Sequence, residues 1–124
     1  MVKSGDRLKV GLATEDAVLK VLGKTGMKEK VSTEIIVYGK KTTINVIPDY
    51  VDKVKKEVGE IKDYADANTV NNIKQIRAEM AYAKAKGYDY KLYLNDCDKR
   101  SGPLKKAMRE AGFECKEISD LLSL

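Results

Sequence analysis

Histidine is absent from all 124 residues of the chain, and that absence removes the commonest hydrolytic sites. Serine–histidine and cysteine–histidine triads are excluded, as is histidine-based ribonuclease chemistry. Any hydrolysis has to run on carboxylates, lysine, tyrosine or a metal ion. Cysteine is scarce: Cys97 and Cys115 cannot make a disulfide framework, lie in no CxxC pair and have no histidine beside them, which argues against zinc. Both read as buried free thiols, with one mutual disulfide left open by their spacing. No apolar run is long enough to span a bilayer, and Met1 to Asp6 lacks an apolar signal core, so the chain as given is expected to be soluble, with no membrane segment. Internal repeats and low-complexity tracts are also missing.

What remains is the composition of one small domain. The length supports a single core but no separate recognition domain, so any specificity must reside in the domain that does the chemistry. Residues 1–10 are polar and basic and read as a flexible arm or linker remnant, leaving 11–124 as the folded unit. Lys and Arg total 24 against 19 acids, a net charge of +5 with a pI near 9.1. An acidic partner such as nucleic acid is implied.

Two short stretches, Ile47-Pro48-Asp49 and Gly59-Glu60-Ile61-Lys62, carry the candidate chemistry. Between them lie β-branched residues interrupted by a charged turn, the pattern of a β-hairpin. A turn centred on Val54-Lys55 places Asp49 opposite Glu60, Ile47 opposite Lys62 and Val51 opposite Val58. Because side chains alternate across a strand, Asp49, Glu60 and Lys62 then share one face with the valine pair. Opposed carboxylates repel unless a cation or a shared proton lies between them. Two of them at one point suit a hard divalent cation such as magnesium, and Lys62 would face a phosphate or an attacking water. The alternative is a solvated hairpin with an ordinary Lys62–Asp49 pair.

The rest of the chain supplies helices and strands around this hairpin. A first helix follows Gly11, with Thr14 as its expected cap, Val18, Val21 and Leu22 as its buried face and Gly23 as its stop. Glu15 falls on the edge of that face, where an acid needs a partner or the helix dipole. Val31 to Tyr38 and Thr42 to Ile47 read as strands joined by a Gly39-Lys40-Lys41 turn, and with Val58 to Tyr64 they are expected to form a three-strand meander carrying the site. Pro48 forces a bend or an edge. A long helix capped by Asn68 or Thr69 runs through Lys86, with Val70, Ile73, Ile76, Met80 and Ala83 as its buried stripe. Gln75 lies nearly opposite that stripe, so it either touches the site through a second buried face or is solvated. Tyr90 to Leu94 reads as a strand, Pro103 to Ala111 as a helix capped by Ser101, and Phe113 to Ile118 as a last strand, with parallel pairing across that helix. The order αβββαβαβ predicts an α/β fold with a mixed sheet flanked by helices. Lys40, Lys41, Lys53, Lys55 and Lys56, with Arg77 beside the helix stripe, are candidate contacts to a nucleic-acid backbone. Lys99-Arg100 and Lys105-Lys106 are further basic pairs. Seven tyrosines are available for base stacking, though most read as ordinary strand residues.

Ile47-Pro48-Asp49 followed by Glu60-Ile61-Lys62 resembles the PD-(D/E)xK motif of restriction-endonuclease-fold nucleases. Asn72-Ile73-Lys74-Gln75-Ile76-Arg77, Ala81-Tyr82-Ala83, Gly87-Tyr88, Leu92-Tyr93-Leu94 and Ser101-Gly102-Pro103-Leu104 resemble the C-terminal toxins of bacterial polymorphic and contact-dependent growth inhibition effectors. The likeness runs from about Glu15 to Ile118. It implies a restriction-endonuclease-like core and a metal-dependent nuclease acting on DNA or tRNA. Asp49, Glu60 and a first-helix acid at the position of Glu15 would hold Mg2+ or Mn2+. Lys62 would orient or help deprotonate the attacking water, and Gln75 would sit on the active-site face. It further implies a larger secreted or cell-surface effector whose toxin reaches the target-cell cytoplasm, and a cognate immunity protein of acidic character in its maker. Two rival readings are a noncatalytic basic module that binds nucleic acid and a junction resolvase of the same fold.

Overall fold

Local chemistry decides where each element starts and stops. In the computed structural model, which describes residues 10–122, the first helix, α1 (Leu12–Leu22), begins at Gly11 without a side-chain cap and ends at Gly23 in the left-handed region. Thr14 therefore lies inside the helix and not at its cap. The buried face is Val18 and Leu19 with Leu22 packed beside them, while Val21 is exposed, so the apolar stripe is shifted toward Leu19 from the expected one.

Strands β1 (Val31–Val37) and β2 (Lys40–Val46) pair only with each other, in an antiparallel ladder. Their turn is the two-residue Tyr38-Gly39, with positive φ at both positions, the geometry that matches strand twist. The ladder therefore resumes at Lys40, two residues before the expected strand. The meander is also corrected: the hairpin departs at Pro48, and the site belongs to a second sheet of four strands, ordered β3-β4-β5-β6. Its members are β3 (Tyr50–Asp52), β4 (Glu57–Lys62), β5 (Asp89–Leu94) and β6 (Glu114–Glu117). β3 and β4 are antiparallel, while β4–β5 and β5–β6 are parallel. The mixed sheet with helices around it is the expected class, with an additional short strand.

The two parallel connections are helical. A short α2 (Tyr64–Ala67) leads to α3 (Val70–Lys86), whose Thr69 cap accepts the Asn72 N–H at 3.3 Å and whose stop is Gly87. Helix α4 (Gly102–Ala111) is capped by Ser101 and has Pro103 in its first turn. Each such cap contributes about 1 kcal/mol. A last turn of helix, α5 (Ser119–Leu122), follows β6.

Alternation along the strands divides the core in two. Val51, Val58, Tyr90, Leu92 and Leu94 pack with Ile76, Met80, Leu104 and Met108 from α3 and α4, and with Val31, Ile35 and Val46 of the hairpin. Tyr50, Ile61 and Tyr93 pack on the other side with Val18, Leu19 and Ile118. Helix α3 is thus buried on two sides, by the four-stranded sheet and by the β1–β2 hairpin. Its first residue, Val70, lies outside this packing and is exposed, contrary to its place in the expected stripe.

Close approach explains one glycine. Gly59 faces Tyr50 across β3–β4, and a Cβ there would stand 2.1 Å from Tyr50 Cε2. The ring lies against the β4 backbone, and its hydroxyl donates to Glu57.

Cys97 and Cys115 are joined in a disulfide, with Cα atoms 6.0 Å apart, which overturns the reading of two free thiols. The pairing was not forced by sequence: parallel β5 and β6 bring the 3₁₀ turn Cys97–Lys99 beside Cys115. Closing a loop of 18 residues contributes about 3 kcal/mol through the unfolded chain. Dithiothreitol is therefore expected to lower the urea midpoint by a corresponding amount. An unchanged midpoint would show that the bond contributes nothing to stability.

Candidate active site

Asp49, Glu60 and Lys62 stand on one face of the β3–β4 hairpin. The observed pairs Tyr50–Gly59, Val51–Val58 and Asp52–Glu57 have the register predicted from the turn, so Asp49 and Glu60 meet where the ladder ends. Ile47 lies beyond the ladder and is half exposed, so it does not pair with Lys62. Asp49 Oδ2 accepts the Ile61 N–H at 2.8 Å, closing the ladder with a side chain. Lys62 Nζ is 3.2 Å from Glu60 Oε2.

Both acids are deeply set, Asp49 at 6% and Glu60 at 4% exposure. Burial, and then the neighbouring Glu60 and Glu15 carboxylates, push the Asp49 carboxyl up to about 8, against the Ile61 bond that opposes the rise. Burial and the adjacent Glu79 carboxyl raise Glu60 well above the carboxylate range. Crowded together out of water, these acids keep their protons to higher pH than free carboxyls do, unless a cation replaces them.

Gln75 reaches the site from α3. Its Nε2 donates to Glu79 Oε2 at 3.0 Å and lies 3.4 Å from Glu60 Oε1. Of the two placements open to Gln75, the second buried face is the one observed. Glu79, a turn further along α3, is fully buried and accepts the Tyr90 hydroxyl at 2.7 Å. Burial raises its carboxyl too, while Glu60, Tyr90 and Gln75 offset part of the rise. Sequence reasoning passed over Glu79. The available signal was an acid one helical turn after Gln75 inside the apolar run Ala78 to Ala83.

The edge of β3 completes the site. Val51 N–H donates to the Met27 carbonyl at 2.8 Å, which pins the segment after α1 against the strand. The ammonium of Lys28 then stands 3.4 Å from Glu15 Oε1 and 3.6 Å from Asp49 Oδ1. Lys28 thereby links Glu15 to Asp49, whose carboxyl Glu15 helps to push up. The structure therefore brings Glu15, Asp49, Glu60, Lys62 and Gln75 together, and adds Lys28 and Glu79.

A family model for restriction endonuclease fold toxin 7 matches residues 11–104. The chain belongs to this toxin family. No curated protein matches its sequence. Membership carries the restriction-endonuclease-like fold and makes the chain a nuclease toxin domain with a nucleic-acid target. No helix among the described residues is long and apolar enough to cross a membrane.

The basic residues of this toxin domain are less gathered than its acids. Lys40 and Lys41 sit at the turn end of β2, ~20 Å along the strand from Val46. Lys53, Lys55 and Lys56 are in the β3–β4 turn, with Lys53 paired to Glu29 at 3.2 Å. Arg77 donates to the Ile36 carbonyl at 3.0 Å, tying α3 to β1.

The donor set is all oxygen. Among the described residues no group of three or more His, Cys, Asp or Glu side chains is arranged to hold a metal ion. Magnesium, however, is commonly bound through one or two carboxylates, keeping its waters and adding substrate phosphate. Asp49 and Glu60, adjacent acids whose charged forms lack compensation, fit a hard cation of that kind.

Proposed function

We propose that this toxin domain hydrolyses phosphodiester bonds of DNA or tRNA with a divalent cation, magnesium or manganese. The observation supporting this most directly is the convergence of Asp49, Glu60 and Lys62 on one hairpin face, with Lys62 Nζ 3.2 Å from Glu60. Asp49 and Glu60 would hold the cation, and Glu15 would complete or position that site. A cation there would supply Lewis acidity to a phosphoryl oxygen.

The other groups set up the attack. Lys62 orients the attacking water and presents positive charge to the phosphate, where negative charge grows in the transition state. Gln75 steadies Glu60, and Glu79 with Tyr90 steadies Gln75 through bonds of 3.0 and 2.7 Å. Lys28 offsets the charge of Glu15 and Asp49 from the solvent side.

By this reading the domain is the C-terminal part of an interbacterial competition effector, as in contact-dependent growth inhibition, and acts in the target-cell cytoplasm. A cognate immunity protein, small and acidic, would cover its basic face in the producing cell. The test is purified protein with plasmid DNA and with total tRNA, in magnesium, in manganese and in EDTA. Cleavage of one substrate in either metal, lost in EDTA, is expected. Cleavage that persists in EDTA overturns the mechanism.

A further inference from the structure

Beside the candidate active site runs an open cleft between the end of β2 and the first turns of α3. Its volume is about 450 Å³, within the ~300–1,000 Å³ of clefts that hold small organic ligands. Ile44 and Ile47 give it an apolar wall, and Asn45 and Asn71 add amide groups. Lys30 and Lys74 flank it, and neither has an ion-pair partner among the described residues. The cleft adjoins the candidate active site through Gln75, which lines it and also reaches Glu60 at 3.4 Å.

We infer that this cleft seats one unpaired nucleotide next to the phosphate being cut. The inference rests on the proposed nuclease reading and deepens it by naming the form of substrate. A nucleotide presents an apolar face, a polar edge and an anionic backbone, and the cleft offers a counterpart to each. Ile47, half exposed and two positions before Asp49, lies where a base face would rest. The Asn45 and Asn71 amides each carry both donors and acceptors, as a base edge requires. Lys30 and Lys74 meet the phosphates. A stacked duplex hides its base faces, so only an unpaired or extruded base uses the apolar wall.

The test separates binding from cleavage. Short fluorescein-labelled DNA and RNA strands, and a duplex of the same sequence, are titrated in EDTA against the full chain and followed by anisotropy. Either unpaired strand is expected to bind more tightly than the duplex, the tighter of the two naming the preferred sugar. Lys30→Ala with Lys74→Ala is expected to weaken the unpaired strand about ten-fold and to lower the salt slope by about 1.4, the share of two phosphates. Lys105→Ala with Lys106→Ala removes the same charge from α4 and is expected to do less, while Ile47→Ser weakens binding without changing the slope. Tighter binding of duplex, or equal losses in the two lysine pairs, overturns the inference. Because EDTA removes the metal, a chain that shows this pattern but cleaves in neither magnesium nor manganese would refute the catalytic reading and leave the cleft standing.

Discussion

Asp49→Asn is expected to reduce cleavage by at least ~1,000-fold, the scale of losing a residue used in the transition state, while making the metal-free protein more stable. The amide keeps an oxygen for the Ile61 N–H, bonded at 2.8 Å in the native chain. The charge that Glu60 and Glu15 disfavour at this position disappears. Fold and function are thereby separated: the group that catalysis needs is one that the empty fold holds at a cost.

The pH dependence follows from the sign of the shift. The Asp49 carboxyl is pushed up to about 8, by burial first and then by Glu60 and Glu15, from an ordinary value of 3.8. Between those values the folded chain binds a proton that the unfolded chain has lost, so stability falls as pH rises through that window and levels off above it. Thermal melts in EDTA across this range should show the decline in the native chain and a shallower one in Asp49→Asn. Magnesium should restore stability at the alkaline end in the native chain alone. A variant that melts lower at every pH would mean that Asp49 is chiefly structural.

Gly59→Ala carries the second large effect, on stability. The new Cβ would stand 2.1 Å from Cε2 and 2.3 Å from Cζ of Tyr50, too close for any rotamer adjustment. The ring cannot retreat easily, since it is fully buried and its hydroxyl is bonded to Glu57. Overpacking of this severity costs about 3 kcal/mol, a fall in melting temperature on the order of 10 °C. Tyr50→Ala also destabilises, by removing a large buried side chain. The double variant should nevertheless be better than the sum of the two by about 1 kcal/mol or more, since each change relieves the other. Strict additivity would locate the damage elsewhere. Because Gly59 precedes Glu60 and Tyr50 follows Asp49, prising β3 from β4 should also reduce cleavage below the melting temperature.

The hairpin could be read from sequence for a simple reason. Its turn is charged, its arms are β-branched, and the pairing of Val51 with Val58 fixes which side every neighbour occupies. The acid pair and Lys62 follow from that register alone. Gln75 was harder, because periodicity finds one apolar stripe, and α3 is covered by the β1–β2 hairpin on one side and by the sheet on the other. Glu79 escaped for a related reason: a fully buried acid is visible only when its partners Tyr90, Gln75 and Glu60 are known, and they come from three elements. Lys28 could not be placed from sequence, since its position is set by the long-range backbone bond between Val51 and Met27. The separation of the β1–β2 hairpin from the main sheet depends on how sharply the chain leaves at Pro48, which the bend signal announced without giving its direction. The disulfide depends on the parallel order of β5 and β6, a long-range property that cysteine spacing does not encode.

The bond from Val51 to the Met27 carbonyl has one more consequence, for self-association. It occupies a hydrogen-bonding slot that an incoming extended chain would require, so the catalytic rim is shut to lateral growth by a foreign strand. The opposite rim, β6, is guarded differently, by brevity and by exposed Glu114 and Lys116. A toxin domain that keeps a hard-to-bury acid cluster at one margin of its sheet thus protects that margin with its own backbone and leaves charge to defend the other.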